Sequence, residues 1–95
     1  MKKIKLFPLV GSFAENKDLA RDIRIKEIIP SLQKEEVTLD FTKVESATQS
    51  FVHALISDVI RIYGIEVLDR IFFKNCSDTI KKIISIVIEY MQERD

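Results

Sequence analysis

Residues 37–59 read Val37-Thr38-Leu39-Asp40-Phe41-Thr42-Lys43-Val44-Glu45-Ser46-Ala47-Thr48-Gln49-Ser50-Phe51-Val52-His53-Ala54-Leu55-Ile56-Ser57-Asp58-Val59. The first five residues alternate. Val37, Leu39 and Phe41 point one way, Thr38 and Asp40 the other, and the branched and aromatic content suits a strand. From Phe51 the period changes. Phe51, Leu55, Val59 and Tyr63 form one i, i+4 ladder, and Val52, Ile56 and Ile60 form a second beside it, with Ile62 also apolar. So wide an apolar band predicts a helix pressed on a sheet, with Ser57, Asp58 and Arg61 outside the band. Gly64 stands at the usual C-cap position. The link between strand and helix is rich in Ser and Thr, and the helix starts near Thr48 to Ser50.

On the N-terminal side, Ile4 and Leu6 alternate with lysines over residues 3–9, which predicts a first strand ending at Pro8, where a missing N–H is tolerated at an edge. Gly11-Ser12 reads as a turn and Phe13 as a loop anchor. Asn16 or Ser12 can cap a helix with Leu19, Ala20 and Ile23 on one face and Lys17, Asp18, Arg21, Asp22 and Arg24 on the others. It extends toward Ile28, with a boundary at Ile29 because Pro30 disfavours α geometry in its predecessor, and a further turn over residues 30–34. On the C-terminal side, residues 68–73 predict a third strand centred on Ile71, Phe72 and Phe73. The segment 74–77 is a turn in which Asn75 or Ser77 caps the next helix. In that helix Ile80, Ile83, Ile84, Val87, Ile88 and Met91 recur at helical spacing, and its tail, 93–95, is expected to fray.

Strands alternating with helices predict one small α/β domain over residues 1–95, with a parallel or mixed sheet. The Val37 and Ile71 strands are parallel, joined by a right-handed crossover, and the N-terminal strand is open to an antiparallel edge position. Lys plus Arg and Asp plus Glu both total 15, so the net charge is zero and the basic total of many nucleic-acid binders is absent. Neutrality also leaves little repulsion against self-association into a homo-oligomer. One cysteine, Cys76, excludes an intrachain disulfide. No apolar run spans a membrane and none has signal-peptide form, so a cytoplasmic location is expected.

No catalytic set is evident. Thr48, Gln49 and Ser50 follow a strand and open a helix, where free N–H groups favour an anion such as a phosphate on Ser50. The plain alternative is an N-cap from Thr48 or Ser50. His53, the single histidine, lies off the Phe51–Leu55 ladder and is i+3 to Ser50. A hydrolase or transferase using Ser50 and His53 is the alternative function, but no third orienting group accompanies them. Asp40 must find a donor if both sheet faces are covered. Cys76, near a helix start, has either a lowered pKa or a half-buried structural place. No His/Cys cluster has metal-ligand spacing and no cofactor motif is present.

The run from Val37 to Phe51, with Leu39-Asp40-Phe41, a turn ending at Val44 and Thr48-x-Ser50-Phe51 opening a helix, resembles the STAS-like family, small bacterial domains related to anti-sigma factor antagonists. Ile71-Phe72-Phe73-Lys74-Asn75 before a last helix is similar too, and the likeness runs from about Gly11 to Val87. It implies a STAS-like fold and a non-enzymatic regulatory role through a protein partner. In anti-sigma factor antagonists an Asp-Ser-Ser-Gly stretch opens the equivalent helix, and its second serine is phosphorylated by a serine kinase of the histidine-kinase ATPase superfamily. That serine falls on Ser50. Thr48 stands for the aspartate, Gln49 for the first serine and the bulky Phe51 for the glycine. The resemblance thus implies signalling through a partner surface at Thr48, Gln49, Ser50 and His53, supported by Asp40 and Phe51, with Ser50 as the switch and a histidine-kinase-type ATPase or anti-sigma-like protein as partner.

Overall fold

The computed structural model describes residues 1–93. In chain order the elements are β1 (Lys2–Lys5), α1 (Phe7–Val10), β2 (Phe13–Ala14), α2 (Lys17–Ile23) running through a π-helical turn (Arg24–Ile28) into α3 (Ile29–Leu32), β3 (Val37–Asp40), β4 (Ser46–Ala47), α4 (Gln49–Tyr63), a 3-10 helix (Ile65–Arg70), β5 (Ile71–Lys74) and α5 (Asp78–Glu93). The main sheet is wholly parallel in the order β1-β3-β5, so the N-terminal strand is a parallel edge. Register sets Ile4 beside Leu39 and Leu39 beside Phe73, and one step on, Lys5 beside Asp40 and Asp40 beside Lys74. A second, minimal sheet pairs β2 with β4, also in parallel.

The order β1-β3-β5 advances in one direction. Right-handed crossovers therefore lay the helical connections on one face of the sheet. There α4 packs between α2 and α5. Ile4, Leu6, Val37, Leu39, Phe41, Phe51, Leu55, Ile56, Val59, Ile80 and Val87 are buried between the layers. Each fully buried Leu, Ile, Val or Phe contributes about 1.5–3 kcal/mol, so this one layer contact dominates the stability. Alternation turns Lys3, Lys5, Thr38, Asp40, Phe72 and Lys74 to the opposite face. Thr38 and Asp40 are nonetheless only 4% exposed each. Side chains close over them: the Thr38 hydroxyl donates to Met1 Sδ at 2.9 Å, and Lys3 Nζ lies 3.5 Å from Asp40 Oδ2.

Several expectations are corrected. Pro8 does not end a strand: β1 stops at Lys5, and Pro8 lies in the first turn of α1, where its missing N–H is harmless. Pro30 does not stop the helix. The Ile29 N–H bonds to the Arg24 carbonyl, five residues back, and this wider turn lets the helical path continue through Pro30 to Leu32. Phe13 is no anchor, being 51% exposed in β2. Residues 68–70 belong to the 3-10 helix rather than a strand. Ser57 is buried, because α2 and α5 both pack on α4, whereas Ile62 and Tyr63, in the last turn of α4, are exposed. Arg24 is also buried rather than solvated. It bridges the helical layer, donating to the Ala54 carbonyl at 2.7 Å and lying 3.2 Å from Asp58, so its charge is matched where burial would otherwise be costly. Residues 94 and 95 of the expected frayed tail lie outside the described residues. Among the described residues no helix is long and apolar enough to cross a membrane.

Candidate functional site

Two polar junctions stand at the ends of strands. The first is built by the minimal sheet. Phe13 pairs with Ser46 and Ala14 with Ala47, and the Thr48 N–H donates to the Ala14 carbonyl at 2.9 Å. Just beyond this ladder each chain turns into a helix, so α2 and α4 start side by side. Asn16 caps α2, its Oδ1 accepting from the N–H groups of Asp18 and Leu19 at 2.9 and 3.2 Å; Ser12 does not take that role. Thr48 caps α4, its Oγ1 accepting the Phe51 N–H at 3.1 Å.

Because Thr48 supplies the cap, Ser50 does not. Ser50 is exposed in the first turn of α4. It lines an open cavity of about 460 Å³ with Gln49, His53, Ala54 and, from the start of α2, Lys17. Phe51 is fully buried, so its bulk is spent in the core and not beside the serine. Gln49 is exposed, Thr48 and His53 half-buried. The His53 ring tilts against Tyr90, with 6.1 Å between centroids, and its Nδ1 lies 3.3 Å from Ser57 Oγ, one helical turn on. That nitrogen faces Ser57 rather than Ser50. Among the described residues no group of three or more His, Cys, Asp or Glu is placed to hold a metal.

Lys17 is the residue that sequence reading missed. On its own helix it is one more solvated lysine, and only the β2–β4 pairing brings it to Ser50. The Asn16 cap was the available signal, since it marks a helix start with Lys17 directly after it.

The second junction gathers around Asp40 at the end of β3. Asp40 Oδ1 accepts the Thr42 N–H at 3.0 Å, the Thr42 hydroxyl at 2.6 Å and Asn75 Nδ2 at 3.0 Å. The bond from Asn75, then those from Thr42, hold the carboxyl well below the usual range, with Lys3 assisting and burial opposing. The donor expected for a covered Asp40 is thus supplied from two loops. Both loops contain a non-glycine residue in the left-handed region, Lys43 at φ 70° and Asn75 at φ 60°. The carboxylate ties down the chain on either side of those conformations. Ser77, not Asn75, caps α5, accepting the Ile80 N–H at 3.2 Å.

Cys76 does not have a lowered pKa. Burial pushes the thiol up, with Lys81 opposing and Asp40 adding to the rise. It is a half-buried loop residue packed against the core.

No curated protein and no solved structure matches the chain. A family model does, over residues 20–81, which takes in β3, β4, α4 and β5, and so both junctions apart from β2, Asn16 and Lys17 in the first and Lys3 in the second. With its parallel sheet, its alternating helices and this match over more than half its length, the chain belongs to the family described as a STAS-like domain of unknown function (DUF4325).

Proposed function

We propose that this domain is a non-enzymatic regulatory module that meets a protein partner through the start of α4, at Thr48, Gln49, Ser50 and His53, and that phosphorylation of Ser50 switches the contact. The observation that carries this reading is the division of labour at the helix start. Thr48 takes the cap, and Ser50, one residue into the helix, keeps its hydroxyl exposed beside Lys17. A phosphate there adds roughly −1.5 to −2 charge. The helix N-terminus favours that charge, and Lys17 lies in the same cavity to meet it. A partner seated on the unphosphorylated surface would then face a dianion. The buried Phe51 supports the reading as well, since it leaves no bulk in the path to Ser50. The fitting partner is a serine kinase or ATPase of the histidine-kinase superfamily, or an anti-sigma-like protein, in the cytoplasm of a bacterium.

The test is incubation with such a kinase and ATP, read by intact mass and site mapping. One phosphoryl group on wild type, and none on Ser50→Ala, is the expected result. An active kinase that leaves Ser50 unmodified removes the switch. Affinity for the partner that is the same for wild type and Ser50→Glu removes the patch as the switched surface.

A further inference from the structure

The uncovered face of the main sheet carries a second candidate site that shares no residue with the Ser50 patch. Alternation in β1 sends Ile4 into the core and Lys3 and Lys5 to the opposite face. Past the ends of β1 and β3, α1 and the Thr42-Lys43 turn stand beside the lysines of this face. Together they border an open cavity of about 340 Å³ lined by Lys3, Lys5, Phe7, Pro8, Asp40, Thr42 and Lys43. Crevices beyond the carboxyl ends of parallel strands are usual ligand sites in open α/β sheets, and the volume is near the lower end of small-molecule pockets, roughly 300 Å³.

The charge in this cavity is unbalanced. Three lysines and one carboxylate line it, so the lining is positive by two. The carboxylate is already committed, Oδ1 to Thr42 and Asn75 and Oδ2 to Lys3. Lys5 and Lys43 form no ion pair with any described residue, although both lie within reach of the cavity. Lys43 is held there by its turn: the Val44 N–H donates to the Phe41 carbonyl at 2.9 Å, and Lys43 takes φ 70° in between. Its Nζ stands 5.8 Å from the centroid of the Phe7 ring, which with Pro8 forms an apolar wall.

We infer that this cavity binds a small phosphate monoester, with the dianionic phosphate between Lys3, Lys5 and Lys43 and a flat apolar group against Phe7 and Pro8. A phosphate monoester matches an excess of two positive charges, where a carboxylate supplies only one negative charge. The lysines act as point charges on flexible stems, which suits a phosphate and does not demand bidentate geometry.

Phenyl phosphate, phenol, benzoate and inorganic phosphate are the probes, titrated into the full chain at low salt and followed by amide chemical shifts. Phenyl phosphate should bind saturably, with shifts centred on Lys3, Lys5, Phe7, Thr42 and Lys43. It should bind at least about fivefold more tightly than benzoate or inorganic phosphate, and phenol should not bind. The double variant Lys5→Ala, Lys43→Asn should weaken phenyl phosphate at least tenfold; asparagine tolerates the left-handed backbone, and the spectrum itself reports whether the fold is kept. Lys17→Ala should leave binding unchanged. Shifts centred on Ser50 and Lys17, equal loss in Lys17→Ala, benzoate binding as tightly as phenyl phosphate, or no saturation would each overturn the inference.

Discussion

Asp40 closes strand β3 and Ser50 stands just past strand β4, yet their side chains are used in opposite ways. Asp40 is 4% exposed, and its carboxylate ties together the turns after β3 and β5 through Thr42 and Asn75. Ser50 is exposed at a helix start whose cap is supplied by its neighbour Thr48. At Asp40 the polar group is consumed by the fold. At Ser50 the fold is satisfied without it. Polar residues at strand ends therefore divide into those that hold the structure and those left free to meet something else, and the hydrogen-bond partners decide which is which.

The largest effect should come from breaking the consumed junction. Asp40→Ala leaves the Thr42 N–H and Asn75 Nδ2 without their acceptor and releases two left-handed turns. Loss of charge-assisted bonds at a buried site costs about 3 kcal/mol, which lowers Tm by roughly 15 °C in a domain of this size. Asp40→Asn keeps one acceptor oxygen and should lose about half as much. Thermal denaturation by circular dichroism checks both, and an unchanged Tm for Asp40→Ala would remove Asp40 as the tie between the loops.

Acid sharpens the same point. The folded pKa of Asp40 lies below its ordinary value, so the unfolded chain binds the proton more readily. The stabilisation is complete above the unfolded value of about 3.9 and is lost as pH falls through the folded value. Glu35, held low first by its bond from the Met1 amino group, adds a slope of the same sign. Comparing wild type with Asp40→Ala isolates Asp40: the wild-type advantage measured by urea unfolding should shrink below about pH 4. A constant difference down to the acid limit would mean the carboxylate is not what the turns depend on.

The Thr48 cap is next in size. Thr48→Ala should cost about 1 kcal/mol, and Thr48→Ser much less, because the hydroxyl oxygen is what accepts the Phe51 N–H. Urea unfolding measures the difference. Equal loss in the two variants would assign the effect to the threonine methyl and not to the cap.

How much of this could be read from the chain follows from how local each cause is. The β3 alternation, the apolar band of α4, the isoleucine stripe of α5 and the Gly64 cap (φ 88°) are set by neighbours a few residues away. The family resemblance was legible in the same stretch, Leu39-Asp40-Phe41 through Phe51, and the family match over residues 20–81 contains it. The failures depend on distant partners. Pro30 is a boundary by local rules, and only the π-helical turn at Arg24–Ile28 overrides it. Arg24 and Ser57 have polar side chains, and burial of each reflects the helices packed around α4. The strands β2 and β4 have two residues each, too short for any period, so the meeting of Lys17 with Ser50 had no local signature. At Asp40 the need for a donor was legible, but Asn75, which lies thirty-five residues away, was not.

The smallest expected effect belongs to Ser50 and bears directly on the comparison. If the fold is satisfied without its hydroxyl, Ser50→Ala should shift stability by no more than about 0.5 kcal/mol, half the effect of Thr48→Ala or less. Ser50→Glu places a negative charge in the first turn of α4, where the helix dipole favours it by about 0.3–1 kcal/mol at low ionic strength. Its Tm should therefore equal or slightly exceed that of wild type, and the gain should fade in high salt. Removing the opposite charge in Lys17→Ala should reduce the gain if the two groups meet across the cavity, which a double-mutant cycle measures. A Ser50→Ala variant as unstable as Thr48→Ala would place Ser50 among the consumed groups with Asp40. A neutral Ser50→Ala with a salt-sensitive gain in Ser50→Glu is the result expected of a helix start able to accept a phosphate without disturbing the fold beneath it.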